Sequence, residues 1–382
     1  MRAARHWPLH PHPKEGEAMS SWLHRVATCY QLDMRLLLEH DLGHGRISDL
    51  DSSLPLALLT LLAQRSGFEL DLLRCMSLAG WVPWLLDSLD DSIPSSLDTY
   101  AFQFSVLLSK KRRKKRSVSR WRAWIPPAPI QRACPLCLKN PDNEVLLLAW
   151  TLPLMLSCPV HGCWLESFFG LPGLIFSWVN YESIPRMASD KITMMDRRTW
   201  QALTAGHVEL PRRRIHAGVW FRLLRTLLEE LNTPLSQCGP CAESIRHIWE
   251  YSGYVCRAGQ TSWYPYELLN LSVQLQFLEA AATAIDLIES KVVSPHGEQA
   301  ELFLREPQDW FTYDLPIDEE STAPWQKLFK TIRGVVAEAR HNPEVARSLF
   351  ALASFGRRDP EFLKDLTTIF IMNGIPAEYL SH

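Results

Sequence analysis

Cys134-Pro-Leu-Cys137 is followed, after 20 intervening residues, by Cys158-Pro-Val-His161. A two-residue spacing folds each pair into a tight turn whose side chains reach one ion, and two such turns complete a tetrahedron of thiolate and imidazole donors. Residues 134–170 are therefore predicted to form a small zinc finger, with Cys134, Cys137, Cys158 and His161 as ligands. Four protein donors leave no coordination position for water, so the expected Zn2+ is structural and not hydrolytic. The competing reading, thiols and an imidazole that merely fill a core, leaves the paired spacing and the proline after the first Cys of each pair unaccounted for.

The other cysteines carry weaker signals. Cys238-Gly-Pro-Cys241 has only His247 and Cys256 nearby to finish a site, so it reads either as a second metal site or as two ordinary thiols at a turn. Cys163 could compete as a ligand, but that would break the two-residue spacing, and it is read as structural. Cys29 and Cys75 lie on apolar helical faces and are read as core. Nine cysteines, an odd number, with close pairs among them, favour metal over disulfides in a reducing compartment.

Around the finger the chain reads as mainly α. Trp22, Leu23, Val26, Ala27 and Tyr30 fall at three- and four-residue spacing, and Asp33 is placed to cap a second helix. A second pair follows, Leu58 to Gln64 and Leu70 to Leu78, broken at Ser66-Gly67. We read residues 1–100 as an N-terminal helix-turn-helix domain, although most helical hairpins bind no DNA. Residues 101–133 read as a basic linker, 171–305 as a helical domain with long helices over His216–Leu231 and Ser272–Glu289, and 306–324 as an acidic linker. In 325–382, Asn342-Pro343 and Asp359-Pro360 each set a capping residue before a proline at the first helical position, which predicts a C-terminal helical hairpin.

Net charge is −2 and the pI about 6.7, so any nucleic-acid surface must be local. Lys110, Lys111, Arg112, Arg113, Lys114, Lys115, Arg116, Arg120 and Arg122 place nine cations in 13 residues with no acid, and Trp121 and Trp124 offer stacking or packing beside them. Phosphate contact is the favoured reading of this run, a solvated loop the plain one. Arg212-Arg213-Arg214 is a smaller basic cluster, read either as a second cationic patch or as a surface bridge to acids elsewhere. The opening residues have no apolar h-region, and the longest apolar run, Val145 to Leu156, is interrupted by Pro153; a cytoplasmic chain with no membrane segment is expected. Phosphate loops, dinucleotide glycine patterns, nucleophile elbows and His-Glu-x-x-His are all missing, which disfavours an ATPase or a standard hydrolase.

Two stretches resemble a known family. Pro11-His-Pro-Lys-Glu-Gly-Glu-Ala-Met-Ser-Ser-Trp-Leu-His-Arg-Val26 looks like the opening of TniQ proteins. Cys134-Pro-Leu-Cys-Leu138, Trp150-Thr-Leu-Pro153 and Cys158-Pro-Val-His-Gly162 look like their finger. The strongest similarity covers residues 8–168, while Arg212-Arg-Arg-Ile-His-Ala217 and Glu338-Ala-Arg-His-Asn-Pro343 resemble the TniQ of mercury-resistance transposons. The resemblance implies zinc at Cys134, Cys137, Cys158 and His161. It also implies partners: target DNA, an AAA+ ATPase (TniB-like) and a DDE transposase (TniA-like), as in related TnsD-type target selectors. Many relatives carry another cysteine pair soon after the finger, whereas here only Cys163 follows. The expectation is a non-enzymatic target-selection adaptor of a bacterial transposon, with a homodimer left open. The alternatives are a DNA-processing enzyme, such as a nuclease or recombinase subunit scaffolded by the finger, and a stand-alone transcription regulator.

Overall fold

In the computed structural model the described residues are 6–44, 49–82, 84–89, 97–101, 104–109, 121–139, 145–170, 176–179, 184–256, 264–304, 334–354 and 359–380. They fall in two compact units, Met1–Gln308 and Asp309–His382. The architecture is mainly α, as the periodicity predicts, with short antiparallel sheets inserted.

The apolar stripe at the N-terminus winds into α1 (Met19–Cys29), whose Met19, Trp22, Leu23, Val26 and Ala27 are buried. Its first turn is capped from a distance: the Ser20 amide and hydroxyl donate to Asp51 at 2.8 and 2.7 Å. Asp33 accepts from the Arg35 amide and starts α2 (Met34–Leu36), which runs on as a wider turn to Asp41. α3 (Leu56–Ser66) stops at Gly67, and α4 (Leu70–Cys75) is a turn shorter than the pattern predicts because the chain tightens into a 3₁₀ turn at Leu78–Trp81. These helices share a core of their own around Trp22, Leu58, Leu62 and Leu73. Cys29 and Cys75, expected in it, are exposed: each is the last residue of its helix and has turned off the buried stripe.

A second, larger core holds the finger and the helical layers together. Here α5 (Leu97–Ala101), α7 (Asp190–Ala205) and α11 (Leu271–Glu289) pack on α8 (Ala217–Leu231). α8 is buried on nearly every side: the apolar Trp220, Phe221, Leu224 and Leu228, and with them the polar Arg225, Thr226, Glu229 and Glu230. α11 is long and apolar enough to cross a membrane by length and composition, and 61% of that stretch is buried against the protein. The sequence pattern missed α7, and also the hairpin β4 (His207–Glu209) and β5 (Arg214–His216) that precedes α8. The helices α9 (Leu235–Cys238) and α10 (Ala242–Tyr251) complete this layer.

Arg225, fully buried on α8, would be costly without counter-charges. It makes a two-point contact with Glu267 (2.9 and 3.1 Å) and a further bond to Glu229 at 2.6 Å. Glu267 also accepts from the Trp121 indole at 2.7 Å and the Trp124 amide at 2.9 Å. One helix turn on, Glu230 accepts from the amides of Val106 and Leu107. The same 105–107 stretch pairs with residues 296–299, where a Cβ on Gly297 would stand 2.3 Å from the Ser105 backbone, so only glycine fits. Buried carboxylates on or against α8 thus pin the chain on both flanks of residues 110–120.

In the second unit, α12 (Pro343–Ser354) and α13 (Pro360–Met372) start as predicted, with Asn342 and Asp359 accepting from the amides of Glu344 and Glu361. Their core is small: Ala339, Ala346, Phe370 and Ile375. The expected acidic linker, 306–324, lies outside the described residues.

Because removing one partner strands a buried charge, Glu267→Ala is expected to destabilise the chain by about 3–5 kcal/mol. Urea unfolding followed by tryptophan fluorescence measures this, and a loss below about 1 kcal/mol would show that the network carries no stability.

Candidate metal centre

Strand β1 (Arg132–Ala133) delivers Cys134 to the start of the one-turn helix α6 (Pro135–Leu138). Pro135 suits that first position because its missing amide hydrogen has no partner there anyway. The Cys137 amide donates to the Cys134 Sγ at 3.3 Å, which closes the first turn. In the second turn, Gly162 adopts a left-handed φ of 67° and its amide donates to the Cys158 carbonyl at 2.8 Å. The Cys158 amide in turn donates to the Cys163 carbonyl at 2.8 Å, so the loop is pinched at its neck. β2 (Glu166–Gly170) then pairs antiparallel with β1 on one side and with β3 (Phe176–Trp178) on the other, in the order β1-β2-β3.

These turns bring the four predicted residues together. The His161 Nδ1 stands 3.4 Å from the Cys134 Sγ, 3.3 Å from that of Cys137 and 3.6 Å from that of Cys158, and the Cys137 and Cys158 sulfurs are 3.7 Å apart. All four ligand atoms lie within 4.8 Å of one another. A tetrahedral zinc with Zn–S near 2.3 Å and Zn–N near 2.0 Å needs edges of about 3.8 Å between sulfurs and about 3.5 Å from sulfur to nitrogen. The spacing and donor types therefore fit that ion.

The sulfurs influence one another's protons. Hydrogen bonding to Cys137, Cys158 and Cys163 holds the Cys134 thiol above its ordinary range, while bonds received from Cys134 and Cys137 pull Cys158 below it. A divalent ion bound by such a set displaces the shared protons, since only the thiolate is a ligand. Cys163, read from sequence as structural, puts its Sγ 3.4 Å from that of Cys134, yet does not join the four-atom group. It is a buried thiol at the shoulder of one ligand.

Among the described residues this is the only group of three or more His, Cys, Asp or Glu ligand atoms so close together. The Cys238 thiol points instead to the carbonyls of Thr233 and Pro234, at 3.6 and 3.3 Å, and burial pushes it up to about 11. Of the expected DNA-contacting residues, Lys110, Lys111, Arg112, Arg113, Lys114, Lys115, Arg116 and Arg120 lie outside the described residues. Arg122 is half-buried, with Nη2 3.5 Å from the Leu89 carbonyl. Trp121 and Trp124 are packed in the core and are not stacking surfaces. Arg212 and Arg213 approach Glu301, at 3.6 and 3.9 Å, and Arg214 approaches Glu209 at 3.5 Å, so this basic cluster takes the bridging alternative.

Two groups beside the centre had no sequence signal. Arg132 and Asp196 are buried next to the segment that leads into Cys158. Burial pushes the Asp196 carboxyl up to about 7 and the Arg132 guanidinium down to about 10.

Metal analysis of the purified protein is expected to find about one zinc per chain. Cys134→Ser and His161→Ala are expected to give poorly folded products by near-ultraviolet circular dichroism; a stable, folded chain without metal would contradict this reading.

Residues 8–165 match the TniQ family model, a segment that starts in the N-terminal arm and ends just past the second turn of this centre. No curated protein and no solved structure matches the chain.

Proposed function

We propose that this chain, a TniQ protein over residues 8–165 and hence a transposition-associated one, is the target-selection adaptor of its transposon: it holds DNA, recruits the element's AAA+ ATPase and DDE transposase, and performs no chemistry itself. The observation that carries this reading is the closed donor set inside the family segment. Cys134, Cys137, Cys158 and His161 supply all four corners of a tetrahedron, so a zinc held there cross-links two loops and presents no position at which a substrate or water is activated. The centre is then a rigid platform, and function lies in what its surfaces bind.

The DNA side of the proposal rests on charge. The basic run Lys110–Arg122 is the densest cationic stretch in a chain of net charge −2, and its flanks are pinned to α8 by Glu230 and Glu267. Anchored flanks reduce the entropy lost when such a run meets phosphates. The helix pairs α1–α2 and α3–α4 supply a helix-turn-helix module that orients the chain on the duplex. Residues 306–324 act as a linker to the C-terminal hairpin, and the protein works in the bacterial cytoplasm at the nucleoid.

Omitting the chain from a reconstituted transposition reaction is expected to abolish or randomise insertion while strand transfer by the transposase in a simplified assay persists; unchanged target choice refutes the role. If about six of the cations meet phosphates, log affinity for duplex DNA falls with log salt at a slope near about −5. Replacing Lys110–Arg116 by glutamine should flatten that slope, and a salt-insensitive parent affinity would remove the basic run from the interface.

A further inference from the structure

Cys158 arrives at the centre on the buried segment Leu152–Ser157, which has no regular secondary structure after Thr151 and must satisfy its backbone from elsewhere. Two side chains do so, one from before the segment in the chain and one from after it. Arg132, two residues before Cys134, donates to the carbonyls of Leu152 and Met155, both at 3.0 Å. Asp196, on α7, accepts from the Leu156 amide at 3.1 Å and from the amide and hydroxyl of Ser157, each at 2.6 Å. Both side chains are fully enclosed, and each lies within the electrostatic reach of the other. α7 grips the turn itself as well: Arg197 Nε donates to the Pro159 carbonyl at 3.4 Å, and a Cβ added at Gly162 would stand 3.7 Å from the Thr193 side chain.

This arrangement has one consequence for the metal. A burial cost for an Arg and an Asp is sustained at the stretch of chain that leads directly into Cys158 and its turn. We infer that Asp196, working with Arg132, is the positioning pair of the centre: it holds the Leu152–Ser157 segment in the one path that makes all four ligand atoms converge. Metal affinity is then set by a residue on a helix 31 positions beyond the end of the TniQ-matched segment, and the helical layer and the metal stabilise each other. The inference rests on the zinc reading above.

The test is a set of full-length variants measured by zinc competition against a chromophoric chelator and by the visible spectrum of the cobalt-substituted protein. Asp196→Asn keeps shape but faces an amide NH2 toward backbone donors; a 10- to 100-fold loss of zinc affinity is expected, with weakened tetrahedral cobalt bands. Ser157→Ala, which removes one of three bonds, is expected to lose several-fold, and Asp196→Glu to recover part of the loss. Thr226→Ala, which breaks a buried bond on α8 away from the centre, controls for general destabilisation and should leave affinity within two-fold. Parent-like affinity and cobalt spectrum in Asp196→Asn overturn the inference, even if thermal stability drops. Should that variant not fold, parent-like affinity in Ser157→Ala overturns it and a several-fold loss supports it. A parent protein that binds neither zinc nor cobalt sinks the zinc reading instead, and the inference with it.

Discussion

Three sulfurs and one nitrogen, contributed by two turns 20 residues apart, occupy a space about one ion wide. Such atoms have no reason to converge by hydrophobic packing, because their lone pairs and protons repel or compete unless something positive stands among them. β1 must deliver Cys134 and then stop, Gly162 must turn left-handed to bring the chain back, and the segment before Cys158 must stay irregular so that its end can be aimed.

The same rule recurs away from the centre. Segments without regular structure cross the interior, and buried charged side chains receive their backbone groups: Glu230 takes the amides at 106–107, Glu267 the Trp124 amide, and Asp196 the amides at 156–157. Hydrophobic burial by itself would leave those donors unpaired at about 1–3 kcal/mol each. Replacing such charges by apolar groups in matched sets is often tolerated in proteins, so their value here is directional: a carboxylate selects one path for a loop where an apolar contact admits several. In this chain the selected paths are those leading to Cys158 and to both flanks of the basic run.

For the adaptor role proposed above, this design would have a physical logic. A protein that brings DNA and other proteins together needs surfaces whose relative positions do not drift, and it needs no reactive group. The two cysteine-bearing turns share a common core with the helical layer: Cys134 caps α6, Cys137 lies on it, and Cys158 and His161 sit on a loop braced by α7. The buried carboxylates of Glu230, Glu267 and Asp196 tie irregular segments of this unit to its helices.

Local rules made several features legible in the residues themselves. Two-residue spacing within each pair picked out the four residues whose donor atoms the structure gathers, because a tight turn brings two nearby side chains to one side. Asn342-Pro343 and Asp359-Pro360 specified helix starts, because capping and the fixed φ of proline act within one turn. Long periodic stretches located α8 and α11 to within a residue or two. What tertiary structure alone decided is which distant groups meet. Trp121 finds Glu267 at a separation of 146 residues and Leu156 finds Asp196 at 40. Arg212 and Arg213 lie near Glu301, and Cys29 and Cys75 turn outward at the ends of short helices. No local pattern encodes such pairings: a carboxylate on a helix reads the same whether it faces water or receives a buried amide, and only the packing of whole layers brings the two into reach.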